Sequence, residues 1–175
     1  MRGKMEILDL YDENRIKTGK TYVRGEKMPE NTFRLIVHLL IFDDCGNLLI
    51  QKRQKTKSMA NLWDITCGGA ASTGETSKEA IARELREELG IKLDFTNIRP
   101  IITANFKYGF DDFYLVRKNI NIDEVKLQEE EVAACKWASF DEVIDLMERE
   151  RFVRYKKNFI KLLFDLNSDM RVVEI

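Results

Sequence analysis

The stretch GETSKEAIARELREELG, from Gly74 to Gly90, decides the fold and carries five glutamates. Thr76 and Glu79 have the spacing of a capping box, in which the two side chains bond the free N–H groups at a helix start. Gly90 suits the left-handed backbone position just past a helix end. The stretch therefore predicts a helix over roughly residues 77 to 89.

The glutamates lie close to the apolar face of this predicted helix. At about 100° per residue, Ile81, Leu85 and Leu89 share one face, with Ala82 beside it. Glu88 lies at the edge of that face, and Glu84 and then Glu87 lie further round. Like charges three or four residues apart destabilise a helix, and partial burial increases that cost.

Two interpretations of the acidic edge are open. In the first, the edge binds a divalent cation, because carboxylate oxygens are the ligands that Mg²⁺ and Mn²⁺ accept. In the second, it is a solvated face on which Arg83 pairs with Glu79 or Glu87, four residues away in either direction.

Composition narrows the class of protein. The chain has 175 residues, which fits a single domain, and 44% of them are hydrophobic. A net charge of −1 gives no reason to expect a nucleic-acid polymer or a membrane surface as partner. Three Cys without a C-x-x-C pair indicate a reducing compartment, and a single His, His38, argues against a His-based zinc site. We predict a cytoplasmic protein, in which His38 is a hydrogen-bonded, partly buried strand residue.

The order of elements predicts a mixed α/β fold. EILDLYDENRIKTGKTYVRG indicates a hairpin-like N-terminal extension within residues 1–31. The predicted strands are RLIVHLLIF with its partner LLIQKR, NLWDIT, KLDFTNIRPIITANF, FDDFYLVRKN and EVAACKWAS. FDEVIDLMERE and RFVRYKKNFIKLLFDLN have helical spacing. We expect one domain over 1–175, with a core at 32–140, C-terminal helices at 141–175 and a central mixed sheet between helices.

The acidic helix belongs to a longer pattern. From Gly69 to Ile91 the sequence matches G-x5-E-x7-R-E-U-x-E-E-x-G-U at every constrained position, where U is a bulky aliphatic residue. This pattern resembles the signature of the Nudix hydrolases. The resemblance implies an α/β/α sandwich and an enzyme that hydrolyses a diphosphate linkage in a nucleoside diphosphate joined to another moiety, or in a related organic pyrophosphate.

The resemblance also implies roles for individual residues. Glu84, Glu87 and Glu88 would bind Mg²⁺, with Mn²⁺ as an alternative, and a backbone carbonyl of Gly68 or Gly69 would complete the protein ligands. Arg83, with Glu75, would orient the carboxylates. Water would attack a phosphorus atom of the substrate. Glu84 is our choice as the base that takes the proton, and an acid in a loop outside the pattern is the alternative.

Candidates outside the pattern come from charge and strand spacing. Arg53 and Lys57 share one face of an extended segment and are candidates to bind the diphosphate, although a solvated basic turn has the same composition. Asp112, at the start of FDDFYLV, is a candidate to reach the metal or the substrate, and a simple turn is the alternative. Glu129, Glu130 and Glu131 form an acidic loop that either supplies the base or is only solvated.

Two other functions stay open. The segment around RQKTKSMANLWDITCGG is similar to isopentenyl-diphosphate isomerases, which share the Nudix fold. Their catalytic Cys and metal-binding His align with Gly68 and Ala70, so their metal site cannot be assembled here. A non-catalytic diphosphate-binding module is the third hypothesis. In each case the expected partner is a small-molecule diphosphate, and a homodimer is possible.

Overall fold

A computed structural model describes residues 6–56 and 58–168, together with the backbone of residues 173–174. The strands are β1 (Ile7–Tyr11), β2 (Lys17–Val23), β3 (Arg34–Phe42), β4 (Leu48–Arg53), β5 (Trp63–Asp64), β6 (Cys67–Ala70), β7 (Ile102–Phe106), β8 (Gly109–Arg117), β9 (Val132–Ala138) and β10 (Val173–Glu174). The helices are α1 (Ser77–Leu89), α2 (Phe140–Glu148) and α3 (Lys157–Ser168).

Strand β3 lies at the centre of an eight-stranded mixed sheet. It pairs in parallel with β8 along its whole length and antiparallel with β6 on its other edge. Strand β4 meets β3 only at Phe42 and Leu48, and then pairs antiparallel with β5 and β9. The mixed sheet confirms the prediction, but LLIQKR is a partner of RLIVHLLIF at one position only, because β6 occupies the adjoining edge.

The side chains of β3 alternate between two apolar clusters, as strand geometry requires. Leu35, Val37, Leu39 and Ile41 pack in one cluster with Ile81 and Leu85 of α1. Leu40 and Phe42 pack in the other with Val143 of α2 and with Ile160 and Leu163 of α3. Helices therefore cover both faces of the sheet, which confirms the predicted α/β/α sandwich.

Helix α1 has the bounds and the ends that its sequence predicts. Thr76 Oγ1 accepts the N–H of Glu79, and the Glu79 carboxylate accepts the N–H of Thr76, so both halves of the capping box are present. Gly90 has φ 69° and ends the helix. An N-cap of this kind contributes about 0.5–2 kcal/mol. The local sequence thus fixes where the acidic helix begins and where it stops.

The predicted N-terminal hairpin is confirmed as the antiparallel pair β1–β2. Its apolar face, Leu8, Leu10 and Tyr22, packs on Ala70 at the end of β6. Two hydrogen bonds tie it to the loop before α1: the N–H of Thr73 donates to Ile7 O at 2.9 Å, and the N–H of Gly74 donates to Asp9 Oδ2 at 2.9 Å. The hairpin is therefore fixed against the segment that leads into the acidic helix.

Three predicted elements differ from those observed, and the first is NLWDIT, which is a strand only at Trp63–Asp64. In KLDFTNIRPIITANF only Ile102–Phe106 is a strand, because Asp94 caps a turn at Thr96 and Pro100 has no N–H to give a ladder. In RFVRYKKNFIKLLFDLN the helix begins at Lys157. The backbone before this helix hydrogen-bonds to both the N–H and the carbonyl of Trp63 in β5. Within the described residues, no helix is long and apolar enough to cross a bilayer.

Candidate functional site

A cavity of about 720 Å³ brings together most of the residues that the sequence singles out. Its lining includes Arg53 of β4, Gly68 and Gly69 of β6, and the α1 residues Arg83, Glu84, Glu87 and Glu88. Glu75 lies behind Arg83 and does not line the cavity. Lys57 lies outside the described residues, so its predicted contact with the diphosphate stays a prediction.

Arg83 is fully engaged by the protein. Its guanidinium makes five hydrogen bonds: two to Glu75, one each to Glu84 and Glu87, and one to the carbonyl of Ala70. A guanidinium has five N–H donors, so none is left for a ligand. The hydrogen bonds to Glu75 are the largest cause that raises the pKa of Arg83. Arg83 therefore holds the carboxylates and the loop in place as a permanent cation.

Glu84 lies directly against Gly69. A Cβ atom placed on Gly69 would lie 2.0 Å from Oε1 of Glu84, which is far inside van der Waals contact. Burial raises the pKa of Glu84, and the charge of Arg83 opposes that effect. The absence of a side chain at Gly69 thus makes room for a carboxylate at the base of the cavity.

Glu88 is the most deeply buried of the three acids, with an exposed fraction of 5%. Its Oε2 accepts a hydrogen bond from Nε2 of Gln51 at 2.7 Å, while the buried Oε1 of Gln51 has no hydrogen-bond partner among the described residues. Burial, followed by the charge of Glu84, raises the pKa of Glu88 to about 8. A buried carboxylate beside a second one, with only an amide as its partner, is a favourable position for a cation.

The three glutamates do not converge on one point in this structure. No group of three or more His, Cys, Asp or Glu side chains within the described residues is placed to hold a metal ion. The reason is Arg83, whose Nη1 lies 3.0 Å from both Glu84 Oε1 and Glu87 Oε2, whereas Glu88 turns to Gln51. The donor set suits Mg²⁺ chemically, and Arg83 bonds only one oxygen of Glu84 and one of Glu87, which leaves the second oxygen of each for a cation.

Asp112 does not lie in the cavity. Its carboxylate is fully buried and accepts hydrogen bonds from Ser77 Oγ at 2.5 Å, from Thr103 Oγ1 at 2.7 Å and from the guanidinium of Arg15. Alternation along β8 points Asp112 toward the first turn of α1, where a negative charge is stabilised. It therefore joins the N-terminal hairpin to α1, and it makes none of the cavity contacts proposed from the sequence.

The single histidine, His38, contacts the two residues that flank Asp112 on β8. His38 stacks on Phe113 with ring centroids 4.4 Å apart, and its Nε2 lies 3.2 Å from Asp111 Oδ1. The side chain of His38 is half-buried, and it is not among the residues that line the cavity. This confirms the expected hydrogen-bonded strand histidine.

Arg53 lines the cavity but is partly engaged by its neighbours. Its Nη1 donates to Asp64 Oδ2 at 3.0 Å, and its Nε donates to the carbonyl of Ser58 at 2.9 Å. These bonds orient the guanidinium and leave donors available on both terminal nitrogens. Arg53 therefore lines the cavity with part of its hydrogen-bonding capacity unused.

Several cavity residues were missed in the sequence analysis. Gln51 is two residues before Arg53 on β4, so strand alternation would have placed both on one face. Glu131, raised only as one of three loop acids, lines the cavity together with Gln128. Glu6, Ile7 and Arg24 of the N-terminal hairpin also line it. No sequence signal places the hairpin at the cavity, because the contact depends on long-range packing.

Comparison with known proteins gives one consistent family. A family model described as NUDIX domain matches residues 32–163. A protein of Listeria monocytogenes named as a Nudix hydrolase is 41% identical over 165 residues, covering 94% of this chain and 96% of that protein. An isopentenyl-diphosphate Delta-isomerase of Photorhabdus laumondii is 32% identical over 130 residues, covering 68% and 71%. A crystal structure from Deinococcus radiodurans has the same fold, with a TM-score of 0.73 at 22% identity, covering 90% and 99%.

Proposed function

Because this chain belongs to the Nudix hydrolase family, we propose that it hydrolyses, with Mg²⁺, the diphosphate linkage of a nucleoside diphosphate joined to another moiety, or of a related organic pyrophosphate. The observation that carries the proposal is the buried Glu88 beside Glu84 in a cavity that Arg53 also lines. Buried acids next to an anion-binding cation suit a ligand that is itself a metal–phosphate complex.

The residues that would hold Mg²⁺, or Mn²⁺ in its place, are Glu84, Glu87 and Glu88, with a carbonyl of Gly68 or Gly69. When bound, the ion neutralises phosphate oxygens and lowers the pKa of the attacking water. Arg83 can hold one oxygen of Glu84 and one of Glu87 while the second oxygen of each faces the ion. Arg83 keeps its two bonds to Glu75 in that case, so the loop before α1 retains its anchor.

The remaining chemistry belongs to the side chains. We expect Arg53 to bind a phosphate by bidentate hydrogen bonds. Glu84 takes the proton of the attacking water in this proposal, because its carboxylate lies against Gly69 at the base of the cavity. Glu131 is the alternative base, because its loop lies at the same cavity. Both candidates are therefore to be tested.

The isomerase alternative is less well supported. The positions that align with the isomerase Cys and His are Gly68 and Ala70. The adjacent Cys67 is only 1% exposed, and burial raises the pKa of its thiol, which disfavours a reactive thiolate. The similarity to an isomerase nevertheless justifies testing prenyl diphosphates as substrates. A purely binding module is disfavoured because every acid of the pattern is retained.

A screen of diphosphate compounds tests the proposal. Purified protein is incubated with nucleoside-diphosphate conjugates, dinucleoside polyphosphates and prenyl diphosphates, with Mg²⁺, with Mn²⁺ or with EDTA. Products are identified by phosphorus NMR and mass spectrometry. We expect metal-dependent cleavage of at least one compound. Rearranged prenyl diphosphate without phosphate release would favour the isomerase, and binding without turnover would favour the binding module.

Replacing Gly69 by alanine tests the packing of Glu84. The added methyl group must displace the carboxylate, because its Cβ would lie 2.0 Å from Oε1. A displacement of about 1 Å at a reacting group lowers turnover by about 100-fold, which is the loss that we expect in kcat. Steady-state kinetics measures it, and circular dichroism checks the fold. Unchanged kcat in a folded Gly69→Ala variant would show that Glu84 need not occupy this position.

Replacing Glu131 by glutamine distinguishes the two candidate bases. If Glu84 takes the proton, Glu131→Gln lowers kcat less than about tenfold, whereas loss of the true base costs about 100-fold or more. The pH dependence of kcat is measured for both variants. A larger loss in Glu131→Gln than in Glu84→Gln would transfer the role to the loop acid.

A further inference from the structure

The hairpin β1–β2 lies outside the residues that the family model matches, yet it forms part of the cavity wall. Glu6 immediately precedes β1, and Arg24 immediately follows β2. The backbone N–H of Arg24 donates to the carbonyl of Glu6 at 2.9 Å, so the two residues pair at the end of the hairpin opposite its turn. This end of the hairpin therefore lies at the same cavity as Glu84, Glu87 and Glu88.

Arg24 is firmly placed, although it lies near the chain start. The hairpin is bonded to Thr73 and Gly74, and Nζ of Lys17 donates to the carbonyl of Glu75 at 3.1 Å. Its apolar residues pack on Ala70. The hairpin is thus held against the same loop that Arg83 anchors from the other side.

The cavity arginines differ in the donors that they have available. Within the described residues, three arginines line it: Arg24, Arg53 and Arg83. All five donors of Arg83 are used, and three hydrogen bonds hold Arg53 to Ser58 and Asp64. The guanidinium of Arg24 makes one hydrogen bond within this part of the chain, to Glu6 Oε2 at 2.6 Å. Arg24 has the most donors to offer an incoming anion.

The ion pair between Arg24 and Glu6 is weak enough for a phosphate to replace Glu6 as the partner of Arg24. Both side chains are exposed, at 49% and 41%, and an exposed pair of this kind contributes little to stability. Burial lowers the pKa of Arg24, but the hydrogen bond to Glu6 and the charges of Glu6, Glu84 and Glu131 together raise it. Arg24 therefore lies within the electrostatic field of the acids across the cavity.

We propose that Arg24 is a substrate-binding residue, which leaves Glu6 and takes a phosphate oxygen of the diphosphate when substrate enters. Glu6 holds the guanidinium over the cavity until then. Ile7, 45% exposed on the same wall, offers an apolar contact for the group beyond the phosphates. This inference rests on the proposed function, and it assigns the N-terminal hairpin a part in recognising the substrate.

Kinetics of Arg24→Ala tests the assignment. With the substrate that the screen identifies, we expect KM to rise about tenfold to 100-fold, the loss of a hydrogen bond between charged groups. Since Arg24 binds ground state and transition state alike, kcat should change less than about threefold. Arg24→Lys keeps the positive charge but loses the forked guanidinium, so its KM should lie between those of wild type and Arg24→Ala. Lys20→Ala, on the exposed part of the same hairpin, is the matched control.

Calorimetry separates this assignment from the proposed function. Methylenediphosphonate, which cannot be hydrolysed, is titrated with Mg²⁺ into wild type, Arg24→Ala and Lys20→Ala. We expect weaker binding by about tenfold or more in Arg24→Ala alone. Turnover with unchanged KM and binding in Arg24→Ala overturns the role of Arg24 and leaves the proposed function standing. A protein that cleaves no compound overturns the function, and the titration alone then decides the role of Arg24.

Discussion

Exchanging Glu84 or Glu88 for glutamine is expected to lower kcat/KM by about 1,000-fold in each variant, because each exchange removes several kcal/mol of charge stabilisation at the site. The amide retains the shape and the packing of the side chain but not its negative charge. Glu88 is almost wholly buried, so water has little access to replace its carboxylate as a ligand. Rates are measured with Mg²⁺ and the substrate from the screen, and metal binding by calorimetry.

Glu79→Gln is the matched control for these variants. Glu79 lies on the same helix, its role is the capping box, and glutamine serves equally at that position. We expect near wild-type kcat/KM for this variant. The double variant of Glu84 and Glu88 should be little worse than either single one, since residues that act as a unit are not additive. Single variants that keep full activity would show that α1 does not hold the metal.

The exchange of Glu88 for glutamine is also expected to change the pH dependence of the stability strongly. Without metal, the folded protein holds a proton on Glu88 up to a pKa of about 8, whereas an unfolded chain releases it near the reference value of 4.5. Between these values the folded state binds more protons, so the free energy of unfolding falls as pH rises. At pH 9 Glu88 is ionised in both states, so the free energy of unfolding has lost nearly the whole contribution of this proton. We expect Glu88→Gln to be more stable than wild type there by about 3–5 kcal/mol, and to show little difference at pH 4.

Urea unfolding in EDTA at pH 4, 6 and 9 measures this difference. Burial also raises the pKa of Glu84 and of Asp64, which adds slopes of the same sign, and the charges of both acids interact with Glu88. The difference between wild type and Glu88→Gln therefore measures the titration of Glu88 together with its coupling to these two acids. Mg²⁺ should restore stability to wild type and not to the variant, because it binds the ionised folded state. Parallel curves for the two proteins across this range would refute the buried, neutral state of Glu88.

The acidic helix could be predicted from sequence almost completely. Its caps are local hydrogen bonds between residues three apart, and its apolar spacing fixes which side faces the sheet. The helical geometry even gave the order of depth: Glu88 is 5% exposed, and the side chains of Glu84 and Glu87 are 13% and 43% exposed. These properties follow from the period of the helix and need no knowledge of the partner elements.

The partners of these residues depended on the tertiary structure. Asp112 and Arg53 looked equivalent as charged strand residues, but the register of β8 buries Asp112 under Arg15, whereas β4 brings Arg53 to the cavity. No strand forms over KLDFTNIRP, where one was predicted, because Phe95 and Ile98 reach the core from a turn. Alternation gives the face of a side chain, but only strand pairing decides what lies opposite.

By itself, the sequence determined the family pattern, the bounds of α1 and the set of acids that it presents, because all three depend on short spacings. Only the tertiary structure decided that Gln51 contacts Glu88 and that the N-terminal hairpin brings Arg24 to the cavity. The physical reason is that these contacts join segments far apart in the chain, and their geometry comes from packing against the sheet.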